Sequence, residues 1–176
     1  MVAFSYRMGA GFAGDVNRTH PASIEPNVNA PAGSNPMVFY GQAGVYNTVG
    51  QMRSVIAGDT ALTAIAGIAV RQFPVQQSTA SAAFGEADLS TGYNSVISPA
   101  NALDILKSGY IMVPVNGTPV KGGAVFVWIA ASTGSHVQGG FEAASTGGST
   151  ITLAEGQTYY NSGPDANGIC ELAFNL

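Results

Sequence analysis

Apolar and polar positions along this chain fall into short runs separated by glycine-rich turns. The clearest runs are Gly109–Val115 (GYIMVPV) and Ala124–Ser132 (AVFVWIAAS). Both are rich in β-branched and aromatic residues, and the turn signals Asn116-Gly117 and Gly122-Gly123 lie between them. Ala64–Gln76 (AIAGIAVRQFPVQ) reads as a strand that meets a breaker at Pro74, and Gly50–Gly58 also reads as strand. Ser149–Leu153, Gln157–Asn161 and Ile169–Asn175 follow as short strands, with turns at Gly147-Gly148, Glu155-Gly156 and Ser162–Gly168. Strands this short and this evenly spaced predict a mainly β fold, a compact β-barrel or a jelly-roll-like sandwich with little helix. One segment reads as helix. Ser98–Gly109 has a Ser N-cap, a proline at the first helical position and a glycine past the end. Its later part can instead run as a strand into Gly109–Val115. No solenoid or propeller repeat is present.

The first 45 residues follow a different pattern. Pro21, Pro26, Pro31 and Pro36 recur at a spacing of five among many Gly, Asn and Ala. Proline fixes φ, removes a donor and pushes the preceding residue toward extended conformations. The segment should therefore be extended, with few ladder hydrogen bonds of its own. It also carries Phe4, Tyr6, Phe12, Ile24, Met37, Phe39 and Tyr40. Aromatic anchors without a regular period indicate a segment that lies on something and becomes ordered there. The expected organisation is an extended N-terminal arm over residues 1–45 and a single β-rich body over residues 46–176.

Composition narrows the function classes. Of 176 residues, 46% are apolar and only 9% are charged, against roughly 25% charged in ordinary soluble domains. A weakly charged surface suits a subunit packed closely among copies or partners, because little charge is desolvated there. The net charge is −4, and the six basic residues (Arg7, Arg18, Arg53, Arg71, Lys107, Lys121) form no cluster. A nucleic-acid site needs a basic patch, so no nucleic-acid partner is expected. No apolar run approaches a membrane span, and no basic-then-apolar leader opens the chain, so neither a membrane partner nor a signal peptide is expected. The one cysteine, Cys170, sits in an apolar alternation and reads as a buried structural thiol.

Gly9, Gly11 and Gly14 spell the G-x-G-x-x-G of dinucleotide-binding folds. That mechanism needs a helix opening on the last glycine and an acid roughly 20 residues on. Pro21 stops any helix within two turns, and no acid lies between Glu25 and Asp59. The glycines instead suit tight turns and close backbone approach to another surface. His20 and His136 lie in separate contexts, and Asp165 reads as a turn residue, so no metal and no cofactor are expected. Ser135 and His136 are adjacent, but neighbours on a strand point to opposite faces, so the adjacency argues nothing for a hydrolase. Glu86 and Asp88 fall in a loop-like, solvated stretch. Trp128 with Phe126, Tyr110, Tyr159, Tyr160 and Phe174 could line a carbohydrate groove, although core packing is the plainer role.

The order of segments resembles the structural cement, or decoration, proteins of tailed-bacteriophage heads. The resemblance is carried by GAGFAGDVNRTHPASIEP, FYGQAGVY, AIAGIAVRQFPVQ (with Arg71, Phe73, Pro74 and Gln76), LDILKSGYIMVPVNGTPVKGGAVFVWI and ANGICELAFNL. Ser132–Gly148 matches more loosely. The resemblance implies a non-enzymatic virion protein, made in the host bacterial cytoplasm, on the outer face of the capsid. It implies the major capsid protein as partner, a homo-oligomeric state (dimer ahead of trimer) and no cofactor. An arm lying on capsid subunits would contact them through Phe4, Tyr6, Arg7, Phe12, Arg18, His20 and Ile24. A tail-tube or head-fibre component, a carbohydrate-binding module and a small hydrolase are the alternatives.

Overall fold

A computed structural model describes residues 11–18, 20–61, 64–71, 97–154 and 156–176. Ten strands carry the fold: β1 (Ser23–Val28), β2 (Ala43–Tyr46), β3 (Met52–Ser54), β4 (Gly67–Ala69), β5 (Ala102–Asn116), β6 (Phe126–Trp128), β7 (Phe141–Glu142), β8 (Thr150–Thr152), β9 (Tyr159–Tyr160) and β10 (Ile169–Phe174). The only helical turns among the described residues are short 3-10 pieces at Ala57–Asp59 and Gly147–Ser149. The fold is mainly β, as the strand spacing predicts. The strands form one mixed sheet in the order β3-β2-β4-β5-β7-β6-β8, with β1 and β10 also paired to β5, and β9 to β10. That path stays open and does not close into a barrel.

Strand β5 is the spine, because four other strands hydrogen-bond to it. It pairs antiparallel with β1, β4 and β10, and parallel with β7. Both of its faces are buried. Leu103 and Ile105 join Met37, Tyr40, Met52, Ala69 and Ile97 in one cluster. Leu106, Ile111, Val113 and Val115 join the main core with Val125, Val127, Phe141, Tyr160 and Leu172. The switch of face follows from a register shift. Ile24 pairs Leu106 while Ser23 pairs Ser108, which leaves Lys107 as an extra residue. Gly109 follows with φ +135°, and a Cβ there would lie 2.7 Å from the Pro21 carbonyl oxygen. Only glycine lets the backbones approach so closely.

The helix expected over Ser98–Gly109 is corrected by this strand. Residues 98–101 form a turn, with Ala100 at φ 58°, and the strand starts at Ala102. Apolar residues at 103, 105 and 106 mimic helical spacing because both faces of the strand are covered and the alternation slips at the bulge. The strands expected at Gly50–Gly58, Ala124–Ser132, Ser149–Leu153, Gln157–Asn161 and Ile169–Asn175 each contain an observed one, and Gly109–Val115 lies within β5. Residues 72–76 of the Ala64–Gln76 run lie outside the described residues.

Part of the stretch assigned to the arm sits in this same sheet. Ser23–Val28 is β1, and Ala30, Met37, Phe39 and Tyr40 are buried. Two buried amides brace the connection. Asn29 Nδ2 donates to the carbonyls of Met37 (2.8 Å) and Ser98 (3.1 Å), and its Oδ1 accepts from Met37 N–H (2.9 Å). Gln42 accepts from Val38 N–H (2.6 Å) and donates to Ser54 Oγ and the Gln138 carbonyl, both at 2.9 Å. Buried polar groups satisfied in this way fix a loop that proline keeps out of regular structure.

Candidate interaction surface

Residues 11–18 form a strap across the sheet. Gly14 N–H donates to the Met112 carbonyl (2.7 Å), Met112 N–H donates to the Asp15 carbonyl (2.9 Å), and Arg71 N–H donates to the Gly14 carbonyl (2.8 Å). Ala13 is buried with Met112 and Ile169, and Val16 packs on the main core. Gly14 has φ +83°, and a Cβ on it would lie 2.7 Å from Tyr40 Cβ and 2.9 Å from the Arg71 nitrogen. The close approach expected of these glycines is therefore made at Gly14 to the chain's own sheet. No helix follows Gly14, so the N–H groups that would face a pyrophosphate are not assembled.

The far end of the strap is tied to β10. Arg18 donates from Nε to Glu171 Oε1 (3.0 Å) and from Nη2 to Oε2 (2.7 Å). Asn17 Nδ2 also donates to Oε1 (2.5 Å), and Asn161 Nδ2 to Oε2. The guanidinium lies 4.1 Å from the centre of the Tyr110 ring. Burial pushes the Glu171 carboxyl up, but the hydrogen bonds from Arg18, Asn161 and Asn17 outweigh it and hold the group below the usual carboxylate range. The forked geometry of arginine matches a carboxylate in this way, and lysine could not reproduce it.

The residues expected to contact a partner are thus placed differently from one another. Phe4, Tyr6 and Arg7 lie outside the described residues. Phe12 is 48% exposed on the strap. Arg18 is engaged by Glu171, His20 is exposed, and Ile24 is half-exposed on β1. Sequence reasoning missed Arg71, whose guanidinium stands 4.9 Å from the Phe12 ring centre. It was legible only as the first residue of the Arg-x-Phe-Pro-x-Gln stretch, and the strap that brings Phe12 to it is a tertiary feature.

Among the described residues no strand pairs with the outer edge of β1, and that edge is a poor template for strand addition. Asp104 turns its carbonyl to Val70 N–H (2.8 Å), so its neighbours Leu103 and Ile105 face β1, opposite Asn27 and Glu25. Ile24, Pro26 and Val28 then turn their backbone groups outward. Pro26 has no N–H, and Val28 N–H is taken by Asn27 Oδ1 at 2.7 Å. An edge so poor in donors is protected against pairing with another chain.

The other candidate chemistries resolve into structural roles. His136 Nδ1 faces Glu142 Oε1 (2.9 Å) and Asn116 Nδ2 (3.0 Å), and its ring stacks on Trp128 with centres 4.1 Å apart. Its hydrogen-bonding partners are thus Glu142 and Asn116, and not the adjacent Ser135. Trp128 is only 5% exposed, so its ring cannot lie flat against a sugar. Asp165 Oδ1 accepts from Asn167 N–H and Ile169 N–H, the turn role expected of it. Cys170 is fully buried, and burial pushes its thiol up to about 12. Glu86 and Asp88 lie outside the described residues. Among the described residues no three His, Cys, Asp or Glu side chains converge on a common point.

A search of curated proteins returns no match. The sequence model of one family, described as structural cement protein (E217 gp24/Pam3 gp6), matches residues 2–175. That match takes in the strap, the spine strand β5 and the closing strand β10 alike, and the chain belongs to the structural cement protein family.

Proposed function

We propose that this protein is a non-enzymatic virion component that binds the outer surface of a phage capsid lattice and cements neighbouring major capsid subunits. The observation that carries the reading is the family match over residues 2–175. The physical features agree with it. A surface with 9% charged residues loses little solvation on burial against another protein. The body sits on one subunit, as a homo-oligomer. The N-terminal arm, which carries Phe4 and Tyr6, contacts the next subunit. Ten residues of chain can span at most about 35 Å, enough to cross a subunit boundary. Phe4 and Tyr6 supply apolar burial there, at roughly 25 cal/mol per Å² before ordering costs. Contact with two subunits at once, repeated over many copies, resists their separation. The reading assigns no catalytic residue.

Because the strap belongs to the body, the informative truncation removes residues 1–10 and stops before Gly11. The intact protein is expected to bind heads lacking it and to raise their resistance to heat. The truncated protein is expected to bind more weakly and to protect less. Equal protection by both would sink the arm, and failure of the intact protein to bind any head would sink the capsid reading itself.

A further inference from the structure

The basic side chains of the described residues are nearly all accounted for inside the chain. Arg18 and Arg53 form forked pairs with Glu171 and Asp59. Lys107 donates to the Ala66 carbonyl (2.6 Å) and to Tyr46 Oη (3.3 Å). Lys121 stands exposed in a turn. Arg71 is different. It is half-buried, yet no carboxylate oxygen of the described residues lies within 4.0 Å of its guanidinium, which rests on the Phe12 ring instead.

From this arrangement, and resting on the capsid reading above, we propose that Phe12 and Arg71 form one composite anchor. Its partner is an apolar depression on a major capsid subunit that carries a carboxylate at its rim. Three observations support it. Phe12 leaves 48% of its surface open although it sits among bonded backbone, so a ring face is available to a partner. The two residues are held in place before any partner arrives. Arg71 N–H is bonded to Gly14, and the Phe12 carbonyl accepts from Asp15 N–H at 3.0 Å, so little is lost in ordering them. The chemistry is also complementary. An arginine and an aromatic ring side by side are the residue types that carry most interface energy, and a guanidinium stacked on a ring still has its edge free for a forked carboxylate. Among the described residues this half-buried guanidinium has no acid beside it, which makes a carboxylate on the partner its natural complement.

The test uses the full-length protein and heads that lack it. Binding is measured for the unaltered protein and for Phe12→Ala, Arg71→Gln and Arg71→Lys, with Val120→Ala as an exposed apolar control elsewhere. Phe12→Ala and Arg71→Gln are each expected to weaken binding about tenfold or more, Arg71→Lys by several-fold, and Val120→Ala by less than twofold. Binding of the unaltered protein should weaken with salt, and the salt dependence should fall for Arg71→Gln but not for Phe12→Ala. Thermal melts of each variant separate loss of fold from loss of contact. If a variant fails to fold, the salt dependence of the unaltered protein still decides. Unaltered protein that binds heads, together with variants that bind within twofold of it, overturns the anchor and leaves the capsid reading standing. Binding insensitive to salt also overturns it. If the unaltered protein binds no head, both readings fall.

Discussion

Replacing Gly14 by alanine combines two costs that Gly33 separates. Both glycines have left-handed backbone, φ +83° at Gly14 and +86° at Gly33. A Cβ on Gly33 meets nothing within 4 Å. Gly33→Ala therefore carries only the conformational penalty, about 1 kcal/mol. At Gly14 the same penalty applies, and the new Cβ would stand 2.7 Å from Tyr40 Cβ and 2.9 Å from the Arg71 nitrogen. These neighbours are a buried side-chain root and backbone, so the strap must lift. Lifting costs the two bonds with Met112 and the one with Arg71, each about 1 kcal/mol net. The total for Gly14→Ala is then about 4 kcal/mol. For a chain of this length each kcal/mol moves the melting temperature by about 2–4 °C. Thermal unfolding should show a drop of about 2–4 °C for Gly33→Ala and about 8–16 °C for Gly14→Ala. Amide hydrogen exchange gives the local readout. The Arg71 and Met112 amides should lose protection in Gly14→Ala and keep it in Gly33→Ala. Equal melting shifts for the two variants would refute the crowding argument.

Two further outcomes are expected. The Glu171 carboxyl titrates lower in the folded protein than in the unfolded chain. Its contribution to stability is therefore complete above the unfolded value, about 4.3, and is lost as pH falls through the lower folded value. Denaturant melts between neutral and acid pH should show this fall, flattened in Glu171→Gln, and an unchanged acid limb in that variant would exclude Glu171 as its source. Cys170, with its thiol pushed up to about 12, should resist a thiol reagent at pH 8 while folded and react once unfolded. Rapid labelling of the native protein would contradict its burial.

Much of the architecture was legible because short β-branched runs and glycine turns are local signals. The runs around Gly109–Val115, Ala124–Ser132 and Ile169–Asn175 needed nothing beyond their own residues to read as strands. Ser98–Gly109 misled because its helix-like caps and spacing are also local, while the evidence for strand came from partners. Those partners are β1 on one side and β4 on the other, far apart in the chain. The candidate surface was legible in part. Phe12 stood out as an aromatic among glycines, but Arg71 carried no signal of its own.

By itself the sequence determined the fold class, the scarcity of charge, the failure of the nucleotide fingerprint and the buried thiol. Each of these depends on composition or on residues close together in the chain. Tertiary structure alone decided that residues 11–18 lie on their own sheet, that Arg18 is engaged by Glu171, and that Phe12 and Arg71 meet. Each of those contacts joins residues separated by long stretches of chain. Such meetings depend on how the sheet bends and where β5 slips register, which no local pattern encodes.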